Sequence, residues 1–353
     1  MAVVEWIFGE LSHDVSRRLH WFLFFRGRSY KSQIYKTNDS GLGNDDNDYS
    51  EGYLFDPYEK KWYQLTFPFL PPGFSPRSSS SGIVIWVSDK AGPKQFIVAN
   101  PIAMMFTYLP PTQTSRMCPS IGLVATDSSF YVMVAGEDMP SQFSVKNLTT
   151  ESFLIDSVAN YYFPWDITSA LPNLYNSEST RMVFVEGRFY CMNYSPFGIW
   201  SYDIATNQWN KIQTPMHRHL RSPSLVECRG RLLLVAAVEK AKLKVQRGMR
   251  LWGLQDETWD EVDKMPQQLY EEFEAVENNN GFDCVGHGDF ITITILGSDK
   301  VLLFDFRQKV WEWVPQCPYV PPYGSGGGEL HGFAYEPRLT TPVMNQLAIL
   351  PPN

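Results

Sequence analysis

The stretch "IWSYDIATNQW" places Asp203 six residues before Trp209, and the same interval recurs along the chain. "FDPYEKKW" sets Asp56 before Trp62, "FDFRQKVW" sets Asp305 before Trp311, "ANPIAMMF" sets Asn100 before Phe106, and "KNLTTESF" sets Asn147 before Phe153. In "WGLQDETW" the polar residue has become Gly253, while Trp259 remains. Successive aromatic members are 44, 47, 56, 50 and 52 residues apart. Repeats of that length are what four-stranded propeller blades produce. An Asp or Asn at a strand end bonds the backbone a few residues on and turns the chain, and the aromatic on the returning strand is expected to pack between blades. Asp203 therefore reads as a turn residue rather than as an acid catalyst. The expected fold is an all-β propeller of six blades, with seven as the alternative count.

A chain of 353 residues that is 44% apolar and 15% aromatic can bury a large core. "RLLLVAAV" (231–238) and "FITITIL" (290–296) read as inner strands covered on both faces. Only "PQQLYEEFEAVE" (266–277) reads as a helix. The ring is expected to close with strands near "WFLFF" or "LHGFAYEP". The propeller should span 20–350, behind a short N-terminal segment, 1–19.

In antiparallel four-stranded blades, the loops between strands two and three leave by the same rim as the links to the next blade. The Asp/Asn-to-aromatic turns leave by the other. The segments "TPMHRHLRSP" (214–223) and "EKAKLKVQRGMR" (239–250) should thus project side by side. Net charge is −8, yet residues 211–250 hold ten Lys/Arg against Glu227 and Glu239, a local +8. Arg218, Arg221, Lys240, Lys242, Lys244, Arg247 and Arg250 are candidate DNA contacts, because cations that neutralise phosphates release counterions. The plain alternative is a solvated hairpin. The acidic segment that follows offers Glu271, Glu272, Glu274 and Glu277 as partner contacts on the same rim. The acidic loop 38–51 lacks the EF-hand spacing, and "YGSGGGE" (323–329) lacks the Lys-Ser/Thr of a phosphate loop.

Chemistry-bearing patterns are sparse. His217 and His219 lie two apart without a nearby carboxylate or Cys, and Asp283 and His287 have only Asn279 where a third ligand would complete a linear motif. His287 reads instead as a buried histidine bonded to a neighbouring turn. No G-x-S-x-G, H-E-x-x-H or paired-carboxylate arrangement occurs. Neither catalysis nor a cofactor or metal is expected. Five widely spaced cysteines read as reduced thiols, and no run of about 18 apolar residues calls for a membrane. The sequons at Asn147 and Asn193 are expected to carry no glycan. Localisation is expected in the nucleus, with the cytoplasm as a second site.

Four stretches carry a family likeness: "GLVATDSSFYVMVAGEDMPSQFSVKNLTTESF", "FVEGRFYCMNYSPFGIWSY", "RSPSLVECRGRLLLVAAVEKAKL" and "GFAYEPRLTTPV". In these the chain resembles plant F-box proteins with a kelch-type β-propeller, and the likeness runs from about His20 to near the C-terminus. The resemblance implies a receptor of an SKP1–cullin–F-box ubiquitin ligase, or a transcriptional cofactor that works with the transcription factor Leafy at DNA in floral meristem and organ identity. It places the DNA contact on Lys240 to Arg250. Only about 20 residues precede "WFLFF", and "MAVVEWIFGELSHDV" lacks the leading Leu-Pro and the length of an F-box. The chain is expected to be an N-terminally shortened form, with SKP1 a partner only where an F-box is present.

Overall fold

The computed structural model describes residues 19–27, 51–67, 70–137, 148–156, 161–170, 181–194, 197–215, 220–238, 247–320 and 329–341. Six four-stranded antiparallel sheets make up these residues, with a two-stranded ribbon and one helix. Blade 1 is ordered β26(Glu329–Tyr335), β1(Trp21–Gly27), β2(Glu51–Asp56), β3(Lys61–Thr66). Blade 2 is β4(Phe74–Ser80), β5(Ile83–Ser88), β7(Phe96–Asn100), β8(Met105–Leu109), with the ribbon β6(Gly92–Pro93) and β9(Ser115–Arg116) beside it. Blade 3 is β10(Ser120–Ala125), β11(Ser129–Glu137), β12(Leu148–Asp156), β13(Tyr161–Ile167). Blade 4 is β14(Val183–Val185), β15(Arg188–Tyr194), β16(Phe197–Asp203), β17(Gln208–Ile212). Blade 5 is β18(Leu220–Cys228), β19(Arg231–Val238), β20(Gly248–Gln255), β21(Thr258–Lys264). Blade 6 is β22(Phe282–His287), β23(Phe290–Ile295), β24(Val301–Asp305), β25(Val310–Trp313). The innermost strands of all six neighbouring pairs touch, so the ring is closed.

Closure uses both ends at once, since β26 pairs antiparallel with β1 from Trp21↔Tyr335 to Gly27↔Glu329. The second strands β19 and β23 are buried on both faces, which is why alternation vanishes from their sequences and continuous apolar runs replace it. Where inner strands crowd, side chains are excluded. A Cβ on Gly286 would meet the Glu227 carbonyl oxygen at 2.0 Å, so blades 5 and 6 approach this closely only through glycine.

Four of the repeat's polar residues turn the chain as expected. Asp56 Oδ1 accepts from the Tyr58 and Glu59 N–H groups, Asn100 Oδ1 from Ile102 and Ala103, Asp203 Oδ1 from Ala205 and Thr206, and Asp305 Oδ1 from Arg307 and Gln308. The Thr206 N–H, then the Arg188 guanidinium, hold the Asp203 carboxyl below its usual range, so it is an ionised turn acceptor.

The copy in blade 3 needs correction. Phe153 lies inside the third strand, fully buried, and Asn147 falls outside the described residues. In four of the other blades the aromatic pairs with the residue before the turn acid or amide, as in Phe55↔Trp62, Tyr202↔Trp209 and Phe304↔Trp311. Blade 3 repeats this as Ile155↔Tyr162, so its true members are Asp156 and Tyr162. Asn147 and Phe153 keep the six-residue interval by coincidence, nine residues ahead of the true pair. In blade 5 Trp259 pairs with Leu254, and Gly253, opposite Asp260 inside the strand, is not the turn position.

The aromatic positions also join the blades, by indole hydrogen bonds. Trp62 Nε1 donates to the Pro315 carbonyl (2.7 Å), Trp209 to Ser169 (3.2 Å) and Trp259 to Gln213 (2.6 Å), while Trp311 donates to Asp263 Oδ1 (3.1 Å). In blade 3 Trp165 donates to Pro110 (2.6 Å). Each partner belongs to the preceding blade or its exit link. Blade 2 departs from the pattern, because Phe106 has no N–H to donate and is 44% exposed.

Candidate functional site

Two rims follow from the strand order. The turns between strands one and two and between three and four leave by a turn rim, and the remaining loops and inter-blade links leave by a link rim. Chain entry at Trp21 and exit after Tyr335 both lie at the turn rim.

On the link rim, the exit from blade 5 forms helix α1(Gln267–Glu277), followed by Asn278 in the left-handed conformation, its N–H bonded to the Glu274 carbonyl. Tyr270, Phe273 and Glu277 face inward, and Phe273 stacks on Trp313 at 6.3 Å between ring centres. One flank presents Glu274 and the other Glu272 and Val276, as residues at this spacing on a helix must divide.

Arg247, the first described residue of the basic segment 239–250, meets the Glu274 flank. Arg247 Nη2 lies 2.9 Å from Glu274 Oε1, half-exposed. Arg221 pairs with Glu277, whose side chain is completely buried and also accepts from the Gly281 N–H. Arg250 pairs with Glu261. These three candidates are therefore not loose phosphate contacts: the acidic stretch read as a separate sector neutralises them within the chain. Arg221 and Glu277 leave the candidate surface, because a pair this buried faces neither solvent nor partner. Glu271 and Glu272 are exposed. Arg218, Lys240, Lys242 and Lys244, with the His217 and His219 pair, lie outside the described residues.

The other histidine reading is corrected in part: His287 is half-buried, and it bonds the first residue of a strand rather than a neighbouring turn. His287 Nδ1 is 2.9 Å from the Trp21 carbonyl oxygen, its ring edge-on to His20 at 4.9 Å. Burial holds its pKa down at about 4, so it is a neutral donor locking the closure strand. Among the described residues no three His, Cys, Asp or Glu side chains group as metal ligands, and no helix is long and apolar enough to cross a membrane.

Residue reasoning along the sequence missed two features of this rim. Arg116 and Glu151, both fully buried, form an ion pair of 2.6 Å, and Glu151 also accepts from the Gln113 and Thr114 N–H groups, pinning the link after blade 2. The second is an apolar pocket beside α1, for which the one sequence signal was the doublet in "VWEWVP".

Comparison with known proteins bears on the same architecture. Residues 54–270 match the family model "KIB1-4 beta-propeller". The chain is similar to Protein UNUSUAL FLORAL ORGANS of Arabidopsis thaliana, 50% identical over 341 residues, 94% of this chain and 76% of that protein. It is 40% identical to Protein ABERRANT PANICLE ORGANIZATION 1 of Oryza sativa subsp. indica over 83% of this chain and 75% of that one. SKP1-interacting partner 15 of Arabidopsis thaliana is 22% identical over 82% of this chain and 77% of its own length. Among solved structures, a chain of a nidogen/laminin complex superposes with a TM-score of 0.51 at 9% identity, covering 90% of this chain and 99% of that one, a likeness of fold alone.

Proposed function

The chain belongs to the KIB1-4 β-propeller family, and from that premise we propose that it is a non-catalytic protein-interaction module of floral development, acting in the nucleus as a transcriptional cofactor that bridges Leafy and DNA. The observation that carries this reading is the division of labour between the rims. The turn rim carries the repeated Asp and Asn turns, while on the link rim Arg247, within the basic segment 239–250, pairs with Glu274 of the acidic helix. The likeness to two proteins whose names refer to floral organs and panicle organisation supports the developmental setting.

In this reading Lys240, Lys242 and Lys244 meet the phosphate backbone, Arg247 joins them by exchanging Glu274 for a phosphate, and Glu271 and Glu272 meet the protein partner. A net charge of −8 opposes DNA binding by the chain alone, so association should appear with the partner and weaken with salt. The test is an electrophoretic mobility shift with a Leafy DNA-binding domain and a weak Leafy site. It compares this chain with one in which Lys240, Lys242, Lys244 and Arg247 are changed to Glu. A ternary band lost on charge reversal is the expected result, and a band that survives it removes the hairpin from the DNA contact.

A second reading, substrate receptor of an SKP1-containing ubiquitin ligase, is favoured by the likeness to a protein named for interacting with SKP1. A module attached ahead of Trp21 would join the turn rim and leave the link rim open. Co-purification of SKP1 with the chain decides whether this form takes that role.

A further inference from the structure

The flank of α1 that faces away from the hairpin closes an apolar pocket over the junction of blades 6 and 1. Val276 from the helix, Val301, Val314, Pro315 and the indoles of Trp62 and Trp313 line a cavity of about 330 Å³. Its walls are fixed before anything binds. The Trp62 N–H is already donated to the Pro315 carbonyl at 2.7 Å, and Trp313 is held by its stack on Phe273.

The lip is different in kind. Glu272 is exposed and makes no ion pair with any described residue. Asp299 accepts from the Gln316 side-chain amide at 3.0 Å, and the Lys300 ammonium sits 5.8 Å above the Trp313 ring. Two carboxylates against one ammonium leave the mouth net negative over an apolar floor. A space of this size is at the small end of ligand pockets, which run from about 300 Å³ upward. With so few polar groups converging on it, it suits a side chain better than a cofactor.

We propose that this pocket is the anchor site for a short segment of a partner protein. The segment carries a bulky apolar side chain, Leu, Met or Phe, with a Lys or Arg within three residues that meets Glu272 and Asp299. The apolar residue supplies the anchor by leaving water in a preformed cavity, as interface hot spots do. The basic neighbour supplies the orientation, since the reverse charge would face two carboxylates. Arg247 and the pocket then lie on opposite flanks of α1, so that one helix separates the proposed phosphate contact from the peptide anchor. This inference rests on reading the link rim as an interaction surface.

The test uses the full chain and fluorescein-labelled octapeptides of Gly and Ser carrying one Leu or Phe, with either Lys or Glu two residues away, read by fluorescence polarisation. The Leu/Phe–Lys peptides are expected to bind at least tenfold more tightly than their Glu counterparts. Val276→Arg should abolish binding, and Glu272→Lys, at an exposed position that leaves folding intact, should cancel or reverse the Lys preference. Absence of binding by any peptide, equal affinity for the two charge forms, or affinities unmoved in Glu272→Lys would overturn the proposal. Its failure is distinguishable from failure of the cofactor reading. A ternary band sensitive to the basic hairpin, with no peptide binding, sinks the pocket alone, whereas peptide binding without any ternary band sinks the Leafy reading alone.

Discussion

The two rims of this propeller are held by different physics. On the turn rim, Asp56, Asn100, Asp203 and Asp305 each bond N–H groups two and three residues ahead, so these four turns share one set of local bonds. On the link rim, the connections are pinned by charges far apart in sequence: Arg116 to Glu151 across 35 residues, and Arg221 to Glu277 across 56. Local bonds make interchangeable turns. Long-range pairs let each link differ, and the differing links are where a helix, a hairpin and a pocket can be built without disturbing the barrel of blades.

Breaking the link rim should therefore cost most. Glu151→Ala strands Arg116 in a site with no exposure and frees two backbone donors, and a loss of about 3–5 kcal/mol is expected in urea unfolding. A loss under 1 kcal/mol would show that the pair contributes little to the link. The turn rim also has long-range contacts, among them Arg338 to Asp127, Ser81 to the Ala125 carbonyl and His287 to Trp21. Burial depresses the imidazole pKa to about 4, whereas the unfolded chain takes up that proton near 6.5. The unfolded state thus binds more protons between those values, and stability should fall as pH drops from about 6.5 towards 4, by on the order of 2 kcal/mol given the ring's partial exposure. Replacing His287 with Asn should flatten that part of the profile.

Asp56→Ala and Asp305→Ala each remove one acceptor serving two N–H groups at a turn that water can reach. The expected cost is about 1 kcal/mol apiece, and the double change should depart from the sum because Tyr58 of the first turn packs edge-on against Phe290, the strand partner of Asp305. The smallest effect on stability is expected at the half-exposed pair on the link rim, where Glu274→Gln should cost under about 0.5 kcal/mol. The same change releases Arg247, so salt-sensitive binding of the ternary complex to DNA should tighten. Unchanged binding would mean that Arg247 does not reach phosphate.

What could be read from the residues follows the same division. Six blades, four of the turn residues, the inner strands and the helix at 267–277 were legible because each rests on bonds or periodicities of short range, whereas for closure the sequence offered one end or the other and the structure pairs both. The slip to Phe153 occurred because Asn147 and Phe153 happen to keep the six-residue interval, and the correct pair became visible only from the register Ile155↔Tyr162. The basic sector was legible as charge but not as pairing: nothing local tells Arg247 that Glu274 will stand 2.9 Å away, or that Glu277 will be buried beneath Arg221. The pocket was illegible for a related reason, since Trp62, Val276 and Trp313 meet only after the ring has closed.

The central claim is that partners engage the link rim. Hydrogen–deuterium exchange on the full chain, alone and with the Leafy DNA-binding domain on DNA, tests it most directly. Protection gathered in 239–250, 267–277 and 313–316, with the turns at 56–60, 203–207 and 305–309 unchanged, is the result expected. Protection of those turns with the hairpin and helix unaffected would contradict the account and move the interaction surface to the opposite rim.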